Sequence, residues 1–274
     1  MDRCIKKTYK AIFSDIDGTL LNTSHRIPKE VKQRIAEIKE QGIPFVLVSA
    51  RMPKGMRGIR DELGLLAPMI CYSGALVVDE NEESLYSVEL PVEAVQGVYQ
   101  CVCREENDIS VNLYREDQWM VEDQTDPWVR QEWEITGVIP QEIPFTDQVF
   151  AHVHKILCMG EPEQISRMEE ILLDEFPQIR IYKSKPTYLE IMSMEASKSG
   201  AIQKLEEKFG IERQEIIAFG DGHNDIDMLQ YAGMGIAMGN AQDDVKAAAD
   251  IVTATNDQGG MYQILKQISL DNHW

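Results

Sequence analysis

Short apolar runs that alternate with helical patterns constrain the fold more than any other feature of this chain. In its first part, residues 9–14 and 44–49 are short apolar runs, and residues 28–41 carry apolar side chains at helical spacing before a glycine. Apolar runs of this length are typical of strands buried on both faces. Their alternation with helices predicts an α/β fold with a doubly wound, mostly parallel sheet.

The last part of the chain repeats this alternation, whereas the middle differs. Residues 198–209 are a predicted helix that precedes an apolar strand at 215–219. The middle instead combines strand pairs with helices, a pattern typical of an antiparallel sheet in an α+β unit. We therefore expect a catalytic core formed by residues 1–84 and 191–274, with an inserted α+β cap domain over residues 85–190.

Within the insert, the apolar pattern predicts two long helices and five strands. The aromatic stretch that contains Trp128 and Trp133 is assigned to neither class. The predicted helices cover residues 91–105 and 162–175, and the predicted strands lie near 109–114, 119–121, 153–159, 179–182 and 188–192.

The charge balance limits the classes of partner. The 274 residues include 46 Asp and Glu against 27 Lys and Arg, a formal net charge of −19. This charge repels nucleic acid and anionic lipid, so we expect neither nucleic acid nor membrane as a partner. An anionic substrate would need a metal ion or local cations to bind. Most of the carboxylates are expected to form a solvated surface that aids solubility.

The cysteines and the N-terminal residues bear on the cellular compartment. The five cysteines form no Cys-x-x-Cys pair, which favours reduced thiols over a zinc site. No apolar window is long enough to span a membrane, and the first residues lack the apolar run of a signal peptide. We expect a cytoplasmic protein, and its oligomeric state has no signature in the sequence.

The strongest chemical signal is a pair of acids at the end of the first predicted strand. Asp15 and Asp17 precede Gly18, which permits a tight turn, in the segment DIDGTLL. Ligands of an open α/β sheet bind at the carboxyl ends of its strands, so both carboxylates should face the site. One acid can attack phosphorus while the other moves a proton to or from the leaving group. An isolated Asp-x-Asp would more often cap a turn or lie in solvent.

A second acid cluster also follows an apolar strand, in the segment GDGHND at residues 220–225. If the two strands are neighbours, Asp15, Asp221 and Asp225 converge. Three carboxylates that close repel one another unless a cation lies between them. Ligation by oxygen alone suits Mg²⁺, which keeps waters and shares its ligands with a substrate phosphate. The sequence therefore predicts a Mg²⁺ site that serves an anionic substrate.

Two single residues lie between these clusters. Ser49 ends the second predicted strand and offers a hydroxyl at the same edge of the sheet. Lys198 begins a predicted helix, whose N-terminus already favours anions. Taken singly, Ser49 is more often a turn residue and Lys198 a surface lysine. As the second and third of four ordered elements, both are predicted to hold a phosphoryl group.

This ordered set resembles the haloacid dehalogenase (HAD) superfamily of phosphotransferases, and in particular its Cof-type phosphatases. The fold that the resemblance implies is the Rossmann-like HAD core with a cap between the second and third elements. In this chain the insert lies between Ser49 and Lys198, as that cap position requires. Further similarities are Arg51, Gly74-Ala75, residues 238–241 (MGNA) and residues 257–260 (DQGG).

Two segments depart from the subfamily pattern. Ser73 stands where Asn is frequent, which puts in doubt a substrate contact from an Asn side chain at that position. Residues 49–51 are SAR in place of the frequent TGR, a change that keeps the hydroxyl and the guanidinium. The resemblance still implies that Arg51 and Gly74 bind the phosphate or the substrate.

The resemblance also implies the catalytic roles. Asp15 attacks phosphorus and forms an aspartyl-phosphate, and Asp17 protonates the leaving oxygen and later activates water. Ser49 and Lys198 hold the phosphoryl oxygens, and Asn224 helps to orient the phosphoryl group and Lys198. These roles agree with the residue types, because a carboxylate attacks a phosphate only once a cation neutralises it.

The same resemblance implies the metal ligands. Mg²⁺ is bound by Asp15, by the backbone carbonyl of Asp17 and by Asp221, and Asp225 lies in that ligand set or just behind it. The predicted function is Mg²⁺-dependent hydrolysis of small phosphorylated metabolites, such as sugar phosphates.

Two other functions remain open at this level. Related folds with the cap in the same place include phosphomutases, and a non-catalytic protein that binds a phosphorylated ligand is the third possibility. The presence of Asp15, Asp17, Lys198 and Asp221 together argues against the last, because a binding protein does not need all four.

Three histidines and three tryptophans carry weaker signals. His152 and His154 alternate along a predicted strand, but they lack a third metal ligand and are expected to be structural. His223 occupies a variable position of the last motif and is left unassigned. Trp119, Trp128 and Trp133 are expected to pack in the insert more than to line a specificity pocket.

Overall fold

In the computed structural model, which describes residues 8–105 and 108–270, the chain divides into two units with separate sheets. The first unit contains the residues up to Arg51, Met56–Tyr86 and the residues from Ser197 onward. The second unit contains Met52–Gly55 and Ser87–Ala196.

Strands and helices of the described residues are numbered here in chain order. The strands are β1 (Thr8–Tyr9), β2 (Ala11–Asp15), β3 (Phe45–Val48), β4 (Met69–Cys71), β5 (Leu76–Val78), β6 (Ser84–Ser87), β7 (Ser110–Arg115), β8 (Gln118–Val121), β9 (Gln141–Glu142), β10 (Lys155–Met159), β11 (Ile179–Lys185), β12 (Tyr188–Ser193), β13 (Ile216–Gly220), β14 (Met234–Ala237), β15 (Ile251–Val252) and β16 (Ser269–Leu270). The helices are α1 (Lys29–Glu40), α2 (Pro53–Leu63), α3 (Val92–Glu105), α4 (Pro127–Thr136), α5 (Pro162–Glu175), α6 (Lys198–Phe209), α7 (Ile226–Tyr231), α8 (Asp243–Ala248) and α9 (Gly260–Leu265).

The first unit is built around an eight-stranded sheet in the order β15-β14-β13-β2-β3-β4-β5-β6. The pairs from β15 to β4 are parallel, and β5 runs antiparallel to β4. Every residue of β2, β3 and β13 is buried, which explains their continuous apolar sequences. Their side chains share a core with apolar residues of α6 and α7.

The second unit contains a six-stranded sheet in the order β11-β12-β10-β7-β8-β9. All of its pairs are antiparallel except β8 with β9. Side chains alternate along these strands, so the sheet has two different faces. One face is apolar and packs against α3 and α5. The other face is mixed. It carries the apolar side chains Leu157, Met159 and Met192 together with the polar or aromatic side chains Asn112, Tyr114, Trp119, Lys155, Tyr182 and Glu190.

Helix α4 and the two-residue strand β9 of the second unit have no counterpart in the sequence prediction. Trp128 and Trp133 lie on helix α4, for which the sequence analysis had no element. Asp126 caps this helix by accepting a hydrogen bond from the Trp128 N–H at 2.7 Å, and Pro127 occupies its first turn. Both residues are ordinary helix-start signals, so the helix was predictable.

The strand predicted from residue 153 begins two residues later, at Lys155. His152 lies in the preceding turn with a positive φ of 61° and is exposed, whereas His154 is buried. The expectation that the two histidines share one face of a strand was therefore wrong.

Two observations concern the compartment. Among the residues that the structure describes, no helix is long and apolar enough to cross a membrane. Cys71, Cys101, Cys103 and Cys158 are free thiols. The cytoplasmic location stays a prediction.

Candidate active site

The carboxyl ends of three neighbouring strands bring the predicted residues to one edge of the first unit's sheet. Strand β2 ends at Asp15 and lies between β13 and β3, and all three run parallel. Ser49 follows β3 directly, and Asp221 follows β13 directly. Residues far apart in the sequence are thus gathered where α/β sheets bind their ligands.

Asp15, Asp221 and Asp225 form a cluster of carboxylates. One oxygen of each lies within 4.8 Å of the others. Asp15 and Asp225 are buried, and Asp221 is half-buried. Burial, followed by the charge of Asp225, raises the pKa of Asp15 well above its ordinary value. Burial also raises the pKa of Asp221 to about 6, although a hydrogen bond from Thr19 opposes the shift.

Lys198 is the cation of this cluster. Its side chain is fully buried, and Nζ donates to Oδ1 of Asp15 at 2.7 Å and to Oδ1 of Asp225 at 2.5 Å. Burial alone would lower the pKa of Lys198, but the two carboxylates raise it above its ordinary value. The lysine therefore stays charged while buried, because it has two anionic partners.

Asp225 has both of its oxygens engaged within the protein. Oδ1 accepts from Lys198, and Oδ2 accepts from the backbone N–H groups of Asp221 and Gly222 at 3.0 and 2.9 Å. These bonds make Asp225 the group that holds Lys198 and the 221–222 backbone together. Its geometry favours a place behind the metal ligands more than among them.

A divalent cation fits the charge and the donor atoms of the site. The three carboxylates share one ammonium, so negative charge is in excess at a buried position. The available ligand atoms are oxygens. Mg²⁺ prefers oxygen ligands, whereas Zn²⁺ is usually bound by nitrogen or sulfur. Burial is the first cause of the raised pKa at both Asp15 and Asp221, so negative charge is costly at this position.

The N-terminus of α6 places Lys198. Oγ of Ser197 caps the helix by accepting from the Gly200 N–H at 3.0 Å, and Asp227 accepts from the Ser199 N–H at 2.8 Å. Gly74 packs against this turn with φ +99°, where a β-carbon would lie 2.0 Å from the Ser197 carbonyl oxygen. A side chain at position 74 would therefore displace the start of α6.

Ser49 is buried and connected to an unusual turn. Its carbonyl oxygen accepts from the Ser73 N–H at 2.9 Å, and its hydroxyl accepts from the Arg51 N–H at 3.2 Å. Tyr72 and Ser73 have φ values of 49° and 48°, which cost roughly 1 kcal/mol or more for a residue with a β-carbon. The Ser73 hydroxyl accepts from the Asn224 amide at 3.3 Å, so this strained turn connects two predicted site residues.

Asp17 is not part of the carboxylate cluster. Its side chain is exposed and forms a two-pronged ion pair with Arg51, at 2.8 Å from Nε to Oδ2 and 2.5 Å from Nη2 to Oδ1. A bidentate guanidinium fixes the orientation of a carboxylate. The metal role of the Asp17 backbone carbonyl stays a prediction.

Two residues that contact Asp221 have no role predicted from the sequence. The Thr19 hydroxyl donates to Oδ1 of Asp221 at 2.6 Å, and the Asn240 amide donates to Oδ2 at 3.1 Å. Asn240 lies in the loop that follows β14, at the same edge of the sheet. The signal that would have found it is a polar residue shortly after a buried parallel strand.

Comparison with known proteins identifies the class that this fold and site define. The family of haloacid dehalogenase-like hydrolases matches residues 12–265, which is most of the chain. The chain belongs to the haloacid dehalogenase-like hydrolase family. This result confirms the resemblance inferred from the four ordered motifs.

The relatives and structural neighbours narrow the activity. A Haemophilus influenzae protein provisionally named a phosphatase is 38% identical over 260 residues, covering 94% of this chain and 98% of that protein. A haloacid dehalogenase-like hydrolase from Bacteroides thetaiotaomicron superposes with a TM-score of 0.87 at 33% identity, covering 95% of this chain and 99% of that one. A sugar phosphatase of HAD subclass IIB superposes with a TM-score of 0.80 at 28% identity, covering 94% and 98%.

These comparisons confirm the predicted fold class, a mostly parallel α/β core with a second sheet in the insert. They also confirm the predicted enzyme class, and the chain is a phosphatase of the HAD superfamily.

Proposed function

We propose that this phosphatase hydrolyses small phosphorylated metabolites with Mg²⁺, through an aspartyl-phosphate formed on Asp15. The observation that carries the proposal is the buried cluster in which Lys198 contacts Asp15 beside two further carboxylates. A carboxylate in this setting can approach a phosphate only when cations offset the charge of both.

Asp15 and Asp221 supply the side-chain ligands for Mg²⁺, and the Asp17 carbonyl supplies a third protein oxygen. Asp225 acts behind them by holding Lys198. When bound, Mg²⁺ would neutralise phosphate oxygens and position the phosphoryl group. The fit rests on the oxygen-only donors and on the excess of negative charge at the cluster.

In the first half of the reaction, a carboxylate oxygen of Asp15 bonds to phosphorus and the bond from phosphorus to the leaving oxygen breaks. Asp17 donates a proton to that oxygen, so the product leaves as an alcohol. In the second half, Asp17 accepts a proton from water as the water oxygen bonds to phosphorus. The acyl phosphate bond breaks, and inorganic phosphate and free Asp15 result. The ion pair with Arg51 holds both oxygens of the ionised Asp17 carboxylate, so it supports the second half, in which Asp17 is the base. In the first half Asp17 carries the proton, and at least one bond of this pair has to open.

The phosphoryl group would be held by side chains around the same edge of the sheet. The Ser49 hydroxyl and the Lys198 ammonium provide a neutral and a charged donor, and Asn224 adds an amide beside Ser73. The backbone around Gly74 brings this turn against the start of α6. All of these groups can donate hydrogen bonds to phosphate oxygens.

We further propose that the second unit is the cap that selects the substrate. The support is a set of polar and aromatic side chains on the mixed face of its sheet. Lys155 and Glu190 form an ion pair at 3.6 Å, and Trp119 stacks on Tyr114 with ring centres 5.9 Å apart. Groups of these types bind hydroxyls and the flat faces of sugar rings. They are buried here, so a substrate would have to displace part of the packing that covers them. A sugar phosphate or a similar metabolite is the proposed substrate class, which agrees with the activity of the subclass IIB neighbour.

The proposal is tested by phosphate release from a panel of phosphorylated metabolites, with Mg²⁺ and with excess chelator. We expect turnover with Mg²⁺ and its loss on chelation. When the Asp17→Asn variant reacts with a phosphate ester whose phosphoryl group is radiolabelled, the label should be trapped on the protein. An acyl phosphate keeps this label in acid and loses it to hydroxylamine. Full turnover in chelator would contradict the Mg²⁺ role, and isomerisation of a sugar 1-phosphate without phosphate release would indicate a phosphomutase.

A further inference from the structure

Asn240 contacts three separate segments through one side-chain amide. Its Nδ2 donates to Oδ2 of Asp221 at 3.1 Å and to the Gly18 carbonyl oxygen at 2.9 Å. Its Oδ1 accepts from the Asn256 backbone N–H at 3.1 Å. These contacts join three loops. The first acidic loop carries Asp17 and Gly18, the second acidic loop carries Asp221 and Asp225, and the third is the loop before α9.

The three partners determine which way the amide points. A backbone N–H can only donate, so the Asn256 contact requires the amide oxygen on that side. The NH₂ group then faces two acceptors, the carboxylate and the carbonyl. The orientation of Asn240 is thus determined by its hydrogen-bond network.

Asp221 receives one donor on each carboxylate oxygen. Thr19 donates to Oδ1 at 2.6 Å, and Asn240 donates to Oδ2. Two donors on opposite oxygens prevent rotation of the carboxylate about its Cβ–Cγ bond. Each oxygen keeps a further lone pair, so a cation can still bind.

Asn240 also connects Asp221 to the loop that carries Asp17. Gly18 has a φ of +86°, and a β-carbon there would lie 2.2 Å from Oδ2 of Asp221. The two loops are therefore in close contact, and one amide bonds to both sides of the contact. A hydroxyl has a single hydrogen and could serve only one side, while an ammonium would serve both but compete with a metal ion.

We propose that Asn240 is a positioning residue that orients the Asp221 carboxylate for Mg²⁺ and holds it against the first acidic loop. The inference rests on the proposed Mg²⁺ role of Asp221. Hydrogen-bond partners of metal ligands typically contribute 10–100-fold to metal affinity. Because Thr19 still holds the other oxygen, the expected effect of losing Asn240 is at the lower end of that range.

The test is calorimetric titration of the full chain with Mg²⁺ in the absence of substrate, a readout independent of turnover. Asn240→Ala should raise the Kd for Mg²⁺ about 10-fold. Asn240→Ser keeps one donor and should lie between that variant and the unsubstituted protein. In assays, saturating Mg²⁺ should restore most of kcat, because the reacting groups are intact.

Asn22→Ala is the matched control. Asn22 follows the first acidic loop, and its side chain accepts hydrogen bonds from the N–H groups of Ser24 and Arg26 at 3.1 and 2.9 Å. Among the described residues it forms no hydrogen bond with Asp15, Asp221 or Asp225. It should bind Mg²⁺ as the unsubstituted protein does. Thermal unfolding in chelator checks that each variant is folded; Asn240 is exposed, so its substitution should be tolerated.

The outcomes separate this inference from the proposed function. An unchanged Kd in Asn240→Ala, or an equal loss in Asn240→Ala and Asn22→Ala, would overturn the positioning role. Absence of Mg²⁺ binding by the unsubstituted protein, with full turnover in chelator, would instead overturn the proposed Mg²⁺ function.

Discussion

The two sheets of this molecule distribute their polar side chains in opposite ways. In the first unit, the central strands are buried on both faces, and the polar groups are concentrated at one edge, around Asp15 and Lys198. In the second unit, the polar groups lie among apolar ones on one face, around Lys155 and Glu190. A parallel sheet covered on both faces leaves only its edges for chemistry, whereas an antiparallel sheet can offer a face.

This difference predicts different responses to substitution. At the edge, each side chain has several partners within hydrogen-bond distance, so one change should disable the whole reaction. Across the face, contacts are divided among many side chains, so one change should shift a preference. Substitutions at the edge and on the face therefore test this contrast.

The largest effect is expected at Asp15. Asp15→Asn removes the attacking oxygen, so kcat should fall by on the order of 10⁴-fold or more with every substrate. Thermal unfolding in chelator checks that the variant is folded, because the change takes one of the two anionic partners from the buried Lys198. Initial rates measure kcat and thermal scans measure unfolding, and the exposed Asp61→Asn variant is the control for each. Retention of turnover would remove Asp15 from the mechanism.

Asp17 should show an effect that depends on the leaving group. Asp17→Asn removes the proton donor, which is typically worth about 10²–10⁴-fold. A sugar alkoxide needs that proton, so an alkyl phosphate should lose close to this range, while a nitrophenyl phosphate should lose less in phosphoryl transfer. The measurement is the single-turnover rate of each ester with the variant and with the unsubstituted protein. Equal losses would mean that Asp17 is not the general acid.

Two buried bases extend the comparison to pH. Lys198 stays charged because two carboxylates contact it, whereas burial lowers the pKa of His154 to about 4, with Glu89 opposing and His152 adding to the shift. The Glu116 N–H donates to Nδ1 of His154 at 3.2 Å, so Nε2 donates to the Ser87 hydroxyl at 3.0 Å. His154 is therefore neutral in the folded protein.

The sign of the pH effect follows from proton binding. Between pH 6.5 and 4 the unfolded chain binds a proton at His154 and the folded chain does not, so stability falls as the pH is lowered through this window. The loss in the free energy of unfolding that is due to His154 reaches about 3 kcal/mol at the acid end of this window. His154→Gln should remove this pH-dependent loss of stability. The measurement is the difference in unfolding free energy between the variant and the unsubstituted protein at each pH. The exposed His25→Asn should leave the profile unchanged, and identical profiles for all three proteins would contradict the assignment.

The smallest effect is expected on the face of the second sheet. Glu190→Gln removes one charge of the pair with Lys155 and should change the ratio of kcat/KM between two phosphate esters by roughly 10-fold. Mg²⁺ affinity should not change. Glu134→Gln on the exposed surface of α4 is the control. An unaltered substrate ranking would mean that this face does not select the substrate.

Much of the fold was predictable because its signals are local. The apolar runs that became β2, β3 and β13 are continuous, as strands buried on both faces require. Helix α4, whose buried side chain is Val129, is absent from the sequence prediction although Asp126 and Pro127 mark its start. The turn at His152 depends on a positive φ, which a histidine in the sequence does not predict.

The site was predictable to the level of residue identity, and less so to the level of contacts. The order of Asp15, Ser49, Lys198 and Asp221 along the chain indicated the family, and the comparisons confirmed it. The ion pair between Asp17 and Arg51 joins residues from different loops, and no spacing in the sequence predicts its two-pronged geometry.

The sequence by itself determined the fold class, the family and the acids available for the reaction, because short motifs after buried strands specify which side chains reach a sheet edge. Only the tertiary structure decided how those side chains divide their hydrogen bonds. It placed Asp225 behind Lys198 and set Thr19 and Asn240 on opposite oxygens of Asp221. Such contacts join loops distant in sequence, and their distances depend on the packing of the whole sheet.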